Sequence, residues 1–321
     1  MLFRAIMPFR KYVMLSIFFI LNAATYGQAK NKKLIRVLIV DGYSNHDWQQ
    51  TTTVTKRILE ESKLFSITVT TAPATTNEDS LLAWNPEFKG YNVVIQNTNN
   101  INNKTLRWPR RIEEKLEQYV ANGGGLYILH SANNAFPHWK QYDMMIGLGW
   151  RLKENGFALE IDNNKRIIRI PPGEGSNTSH GERFDALINI LNRHPINNDF
   201  PAQWRTASME LYTHARGPAE NVTVLSYAFD SATNKNWPVD WVVKYGKGSV
   251  YNSSMGHLWK GDVFPITYRC YGFQTTLIRA VEWLATGKVT YPMPVKFPHD
   301  SISVREYPEL VRQFVENIVH K

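Results

Sequence analysis

Gly123-Gly124-Gly125-Leu126-Tyr127-Ile128-Leu129-His130-Ser131-Ala132-Asn133-Asn134 decides the fold. A glycine turn feeds a short apolar run, which stops abruptly at a histidine, a serine and two amides. The run reads as a strand buried on both faces, because it is apolar without alternation. Open α/β sheets place ligands at the C-terminal ends of such strands, so the polar tail marks a candidate site. An ordinary polar loop after a core strand is the competing reading.

The same idiom recurs on both sides. Leu34 to Val40 reads as a first strand, followed by the loop Asp41 to Trp48 and a helix from Thr51 to Ser62. Phe65 to Thr71 and Tyr91 to Gln96 read as strands, the latter ending in the amide-rich run Asn97 to Asn103. Pro109 suits the first turn of a helix whose apolar side is Ile112, Leu116, Tyr119 and Val120. The order β-α-β-β-α-β predicts an α/β fold: a mostly parallel central sheet with helices on both faces.

The second half carries more β-structure. Phe157 to Ile161 and Arg166 to Ile170 form an expected hairpin about Asn163-Asn164. Val222 to Ala228, Val239 to Tyr245 and Gly248 to Ser253 are further strands, the last two joined at Gly246-Lys247-Gly248. Tyr268 to Ala285 is a long helix closed by Gly287. The expected organisation is a signal peptide over 1–27, one α/β domain over 28–287, and an extension over 288–321 with a terminal helix from Val304 to Val319.

Arg4, Arg10 and Lys11 precede an apolar core from Tyr12 to Leu21, and Thr25-Tyr26-Gly27 suits a cut before Gln28. An uncleaved anchor is the alternative. Export to the periplasm or beyond is therefore expected, with no stable membrane span after signal removal. Losing those three cations takes the formal charge from +9 to +6. The remaining excess is scattered, which argues against nucleic acid as a partner. The single cysteine, Cys270, excludes an intrachain disulfide and a Cys-rich zinc site. Stability must come from a core, which 10 tryptophans and 15 tyrosines can supply. The same aromatic content fits a carbohydrate-stacking surface. Oligomeric state is not encoded in any feature of this kind.

Asn45-His46-Asp47-Trp48, Leu129-His130-Ser131-Ala132, Ala135-Phe136-Pro137-His138-Trp139, Gly147-Leu148-Gly149-Trp150 and His194-Pro195-Ile196 occur in this order. Glu210-Leu211-Tyr212, Arg216-Gly217-Pro218-Ala219, Tyr245-Gly246-Lys247-Gly248, Met255-Gly256-His257 and Gly272-Phe273-Gln274 to Val289 follow. Together they resemble the ThuA-like, or trehalose-utilisation, family. The resemblance implies a fold similar to class I glutamine amidotransferases, flavodoxin-like in outline. Those enzymes carry a nucleophilic cysteine on the turn after a strand. Here His130-Ser131 takes that place, so glutamine hydrolysis by the usual thiolate route is not expected. Cys270 reads as a small core residue.

His46, His130 and His257 each follow an apolar run. If those runs are parallel neighbours, the three rings reach one rim of the sheet. They could hold a divalent metal such as zinc, or share acid, base and hydrogen-bonding work, with Glu210 or Asp47 as the carboxylate. A serine mechanism would use Ser131, His257 and Asp47 or Glu210, but Leu129 and Asn133 crowd the turn that such a nucleophile needs. Ser131, Asn133, Asn134, Trp48, Trp139, Asp47 and Arg216 are candidate substrate-binding residues, with Asn97 and Asn99 as further amides. Arg216 could instead pair with Glu210. His180 reads as a solvated loop residue.

The resemblance implies sugar metabolism, notably of disaccharides and their 3-keto forms. A ketone at C3 acidifies the adjacent C–H, so a base could drive elimination or isomerisation, with hydrolysis as a further outcome. No Gly-x-Gly-x-x-Gly follows the first strand, so nicotinamide chemistry is not expected. A non-catalytic sugar-binding or assembly module is the alternative. It predicts the same fold and the same missing nucleophile.

Overall fold

Alternation along each central strand sorts its side chains between two apolar cores. The structure, a computed structural model, describes residues 33–306 except Phe264. In β1 (Ile35–Asp41), Val37 and Ile39 enter one core while Leu38 and Val40 enter the other. The chain continues through α1 (Trp48–Glu61), β2 (Phe65–Thr71), α2 (Glu78–Ala83), β3 (Val93–Gln96), α3 (Arg110–Ala121) and β4 (Gly125–Leu129). A 3-10 turn over His130–Asn134 leads to α4 (Lys140–Ile146). Then come β5 (Phe157–Ile161), β6 (Ile167–Ile170), β7 (Ser179–His180), β8 (Leu187–Ile190) and β9 (Gln203–Arg205). β10 (Tyr212–Thr213), β11 (Arg216–Gly217), β12 (Val222–Asp230), β13 (Lys235–Tyr245) and β14 (Gly248–Ser253) precede α5 (Ile266–Arg269) and α6 (Tyr271–Thr286).

The main sheet has 12 strands, with the order β2-β1-β3-β4-β14-β13-β12-β8-β9 along its path. From β2 to β14 the neighbours are parallel. Beyond β14 the pairings are antiparallel, and they include the β5–β6 hairpin expected from the sequence. α1 and α6 supply Val54, Ile58, Leu277 and Val281 to one core; α3 and α4 supply Ile112, Leu116, Met145 and Ile146 to the other. The result is three layers, helices over both faces of the sheet. Register aligns the strand ends: Val40 lies opposite Gln96, Gln96 opposite Ile128, and Leu129 opposite Ser253.

Several boundaries differ from the sequence reading, three of them with structural consequences. β13 starts at Lys235, before Pro238, which is accommodated because β12 changes register beside it between Val224 and Tyr227. The long helix begins at Tyr271, since Cys270 is extended and bridges Val304. Of the terminal helix expected from Val304, residues 304–306 are described and are not helical. Its remainder, and the expected signal segment 1–27, lie outside the described residues. Among the described residues, no helix is long and apolar enough to cross a membrane.

Polar struts fasten the C-terminal end of β1. Asp41 accepts hydrogen bonds from Thr52 and Thr71, each 2.8 Å, and the Asn97 amide donates to Thr52 (3.0 Å) and to the Trp48 carbonyl (3.1 Å). Next, Gly42 takes φ +138°, and a Cβ there would lie 2.0 Å from the Ala72 carbonyl oxygen. Only glycine lets the chain leave β1 at this angle. Gly42→Ala should therefore lower the unfolding free energy by about 2 kcal/mol or more, seen as a lower urea midpoint with unchanged slope.

Candidate functional site

The aligned strand ends release three histidines into one hollow. His46 lies in the loop after β1, His130 directly follows β4, and His257 stands four residues beyond β14. Their ring centroids are 5.2 Å apart for His46–His130, 4.9 Å for His46–His257 and 5.1 Å for His130–His257. His130 adopts φ +41°, a left-handed conformation uncommon for a side chain of this size, so the backbone turns sharply as the strand ends. Gly256, at φ +100°, makes the equivalent turn before His257. The Asp47 N–H donates to the Leu258 carbonyl (3.2 Å), stitching the two histidine loops together.

Glu210 arrives from a different element. β7 and β10 form a two-stranded ribbon in which Tyr212 pairs with His180, and Glu210 stands just before β10. Its carboxylate lies 3.5 Å from His130 Nε2, 3.4 Å from His257 Nε2 and 3.3 Å from His180 Nε2. One ligand-capable atom from each of His46, His130, Glu210 and His257 falls within 4.8 Å of all the others, and all four residues are buried.

Outer hydrogen bonds select which nitrogens face the hollow. His130 Nδ1 donates to the Ser254 carbonyl at 2.8 Å, which turns Nε2 toward the hollow and Glu210. His46 Nδ1 lies 2.9 Å from Asn45 Oδ1, which also accepts from the Asn99 amide at 2.7 Å. That second donor identifies the Asn45 atom as an acceptor, so His46 Nδ1 carries the hydrogen. His46 Nε2 is then a buried lone pair, and it has no hydrogen-bond partner. His257 differs, because Arg183 approaches its Nδ1 at a long 3.4 Å. Presenting Nε2 to an ion calls for the other tautomer.

Burial, then the neighbouring His130, His257, His180 and Arg183, depress the His46 pKa to about 2. Burial and His130 lower His257 to about 4, against the opposing pull of Glu210. Burial pushes Glu210 upward, but its hydrogen bond with His130 and the surrounding imidazoles outweigh that and hold it below its ordinary value. Neutral His46 and His257 beside an ionised Glu210 are the protonation states that a bound cation requires. Three nitrogens and one oxygen suit zinc or another borderline divalent ion.

The other expected residues separate clearly. Ser131 is buried with its hydroxyl 3.4 Å from the Ser44 hydroxyl, an arrangement that supplies no base for a serine nucleophile. Asp47 caps α1, accepting from the Gln50 backbone and side chain at 3.1 and 2.9 Å. Trp48 opens α1 and is half-buried. Two assignments are corrected. Trp139 is core: it is 2 % exposed, packs against Phe136 and Tyr142, and donates to Glu117. Arg216 does not meet Glu210; fully buried, it donates to the carbonyls of Gly156, Pro171, Glu174 and Ser176 and so folds the 171–176 loop. The Asn133 amide donates to the Leu148 carbonyl at 2.7 Å, while its Oδ1 is buried without a partner. Asn134 is buried against Tyr212, whose ring lies 5.4 Å from His130.

His180 is no bystander, since it contacts Glu210. Arg183, Tyr212 and Trp259 also border the site without having been singled out. Trp259, two residues after His257, meets the His46 ring in a T-shaped contact at 4.9 Å. That proximity in sequence was the available signal. Cys270 is fully buried in the core, and burial raises its thiol pKa, so it offers no thiolate.

A family model described as trehalose utilisation, ThuA, matches residues 36–284. The chain belongs to the ThuA family. The crystal structure of a ThuA-like protein from Parabacteroides merdae ATCC 43184 superimposes with a TM-score of 0.79 at 30% identity, covering 85% of this chain and 98% of that one. Exo-beta-1,4-mannosidase Op5Man5 from Opitutaceae bacterium strain TAV5 aligns at 10% identity over 70% of this chain and 32% of that one. Its TM-score of 0.31 is too low to bear on this ThuA protein. A search of curated protein sequences finds no match. Family membership makes a carbohydrate-related role plausible for this chain.

The buried imidazoles set a pH signature. In the unfolded chain both histidines titrate near their ordinary value of 6.5, whereas in the fold they stay neutral to about pH 2 and pH 4. The unfolded state therefore binds more protons below 6.5, and stability present at neutral pH is lost as the pH falls. Chelator-treated protein should lose stability between pH 6.5 and 4. His46→Gln and His257→Gln should each flatten that slope by roughly 1 kcal/mol per pH unit, measured by denaturant unfolding.

Proposed function

We propose that this protein is an exported, metal-assisted carbohydrate-modifying enzyme that acts on a disaccharide or its 3-keto form. The observation that carries the reading is the convergence of His46, His130, His257 and Glu210, with their ligand-capable atoms within 4.8 Å and a partnerless His46 Nε2 in their midst. A buried polar atom left unpaired is costly, and a cation is the partner that a lone pair beside a carboxylate would accept. His46, His130 and His257 would hold the ion with Glu210. When bound, it supplies positive charge that polarises a sugar carbonyl or hydroxyl.

The remaining chemistry belongs to the chain. A ketone at C3 makes the proton on C2 acidic, and a carboxylate or imidazole at the rim can accept it. The electron pair left on C2 forms a C1–C2 double bond as the C1–O bond breaks. The departing oxygen then takes up a proton, so elimination needs no oxidant. Glu210 and His180, linked at 3.3 Å, offer an acceptor and a route toward solvent, because His180 is 37% exposed. The hydrogen bond from His130 to Ser254 holds its ring in place throughout. The basic start and apolar core of residues 4–21 support export, which would place the reaction outside the cytoplasm.

Metal analysis of the purified protein should find about one equivalent of zinc or a similar divalent ion, removed by a chelator together with turnover of 3-keto-trehalose. His130→Ala and His257→Ala should each cut metal affinity and activity by about a hundredfold or more, with the fold retained by circular dichroism. Full activity in both variants would remove these residues from the mechanism. Tight saccharide binding without product, in metal-loaded protein, would assign the chain to the non-catalytic alternative.

A further inference from the structure

Of the ten tryptophans in the chain, Trp259 alone is exposed, at 44%, while Trp84, Trp108, Trp139, Trp204, Trp237 and Trp241 are buried. Its position is not that of a stray surface residue. The indole meets His46 edge-on at 4.9 Å and lies nearly parallel to His257, with an interplanar angle of 11° and centroids 6.1 Å apart. The ring thus abuts two of the buried imidazoles, while much of the residue stays open to water.

The backbone holds it there. The Trp259 N–H donates to Asp262 Oδ2 at 2.8 Å, and the Asp262 N–H returns to the Trp259 carbonyl at 3.1 Å. Gly261, at φ +89°, permits the tight turn between them. Arg183 then clamps Asp262 at 2.9 Å from the facing loop, while also approaching His257 at 3.4 Å. Exposing a large aromatic surface forgoes the gain from burying it, and fastening it in advance removes the ordering cost of a later partner.

We propose that Trp259 is the stacking platform for a saccharide ring beside the His–Glu centre, and that Arg183 and Asp262 position it. This rests on the reading of that centre as a carbohydrate site. A pyranose has a flat face of C–H groups that an indole can cover, and a rim of hydroxyls that need polar partners. His180 and Arg183 supply polar groups at the same mouth, both partly open to solvent. Trp150, half-buried against His180 at 5.4 Å and Tyr212 at 5.3 Å, adds a second aromatic wall on the side of Glu210.

Isothermal titration of trehalose and of 3-keto-trehalose into metal-loaded wild type, Trp259→Ala and Trp259→Phe tests this, with metal content measured on each sample. The expected result is an unchanged metal content and a roughly tenfold or greater loss of affinity in Trp259→Ala, largely restored by Trp259→Phe. Asp262→Asn should weaken binding less than Trp259→Ala. Equal affinity in wild type and Trp259→Ala would overturn the platform while leaving the carbohydrate site standing. Loss of metal from Trp259→Ala would show that the indole serves to cover the imidazoles, and would also overturn it. Absence of saccharide binding in wild type would bring down both this assignment and the reading beneath it.

Discussion

The hydrogen bond from His130 Nδ1 to the Ser254 carbonyl ties the end of β4 to the end of β14. Most of the site's chemistry depends on it. A histidine in the left-handed region is strained, and strain persists only where neighbours over-determine the conformation. The bond supplies that constraint and also fixes the orientation of the ring. It works because β4 and β14 are parallel and in register, so that the residues following Leu129 and Ser253 emerge side by side. Slipping the pairing by one residue would turn the alternating side chains to the wrong cores and separate donor from acceptor.

The polar groups around the hollow form layers of decreasing rigidity. Asn99 fixes Asn45, Asn45 fixes His46, and Asp47 joins that loop to Leu258. Asn97, Thr52, Thr71 and Asp41 lash the same end of β1 to α1 and β2. The amides that follow β3 therefore act as scaffolding for imidazoles. They pair the polar groups of the β1 loop, while His46 Nε2, Asn133 Oδ1 and Asn134 Oδ1 are buried without partners.

The parallel centre was legible because its strands are unbroken apolar runs, and runs such as Val37 to Val40 have few other places to go. The gathering of His46, His130 and His257 followed from the same pattern, since each histidine ends or follows such a run. Glu210 was reachable only through the family motif. Its placement depends on pairing between Tyr212 and His180, two-residue strands too short to leave a periodic trace. The errors share a cause. Trp139 and Arg216 sit beside motif glycines and prolines and look functional in sequence, yet one fills a core and the other satisfies backbone carbonyls that only the folded 171–176 loop brings together. Sequence spacing cannot show which polar groups will find main-chain partners.

The ribbon that delivers Glu210 is stitched by two residue pairs and a hydroxyl contact between Ser179 and Thr213, whereas the imidazoles hang from strands embedded in a 12-stranded sheet. Short ladders open at lower free energy than central ones. The hollow thus has three stiff corners and one compliant corner. Opening of that ribbon would shift Glu210 before it shifted the imidazoles.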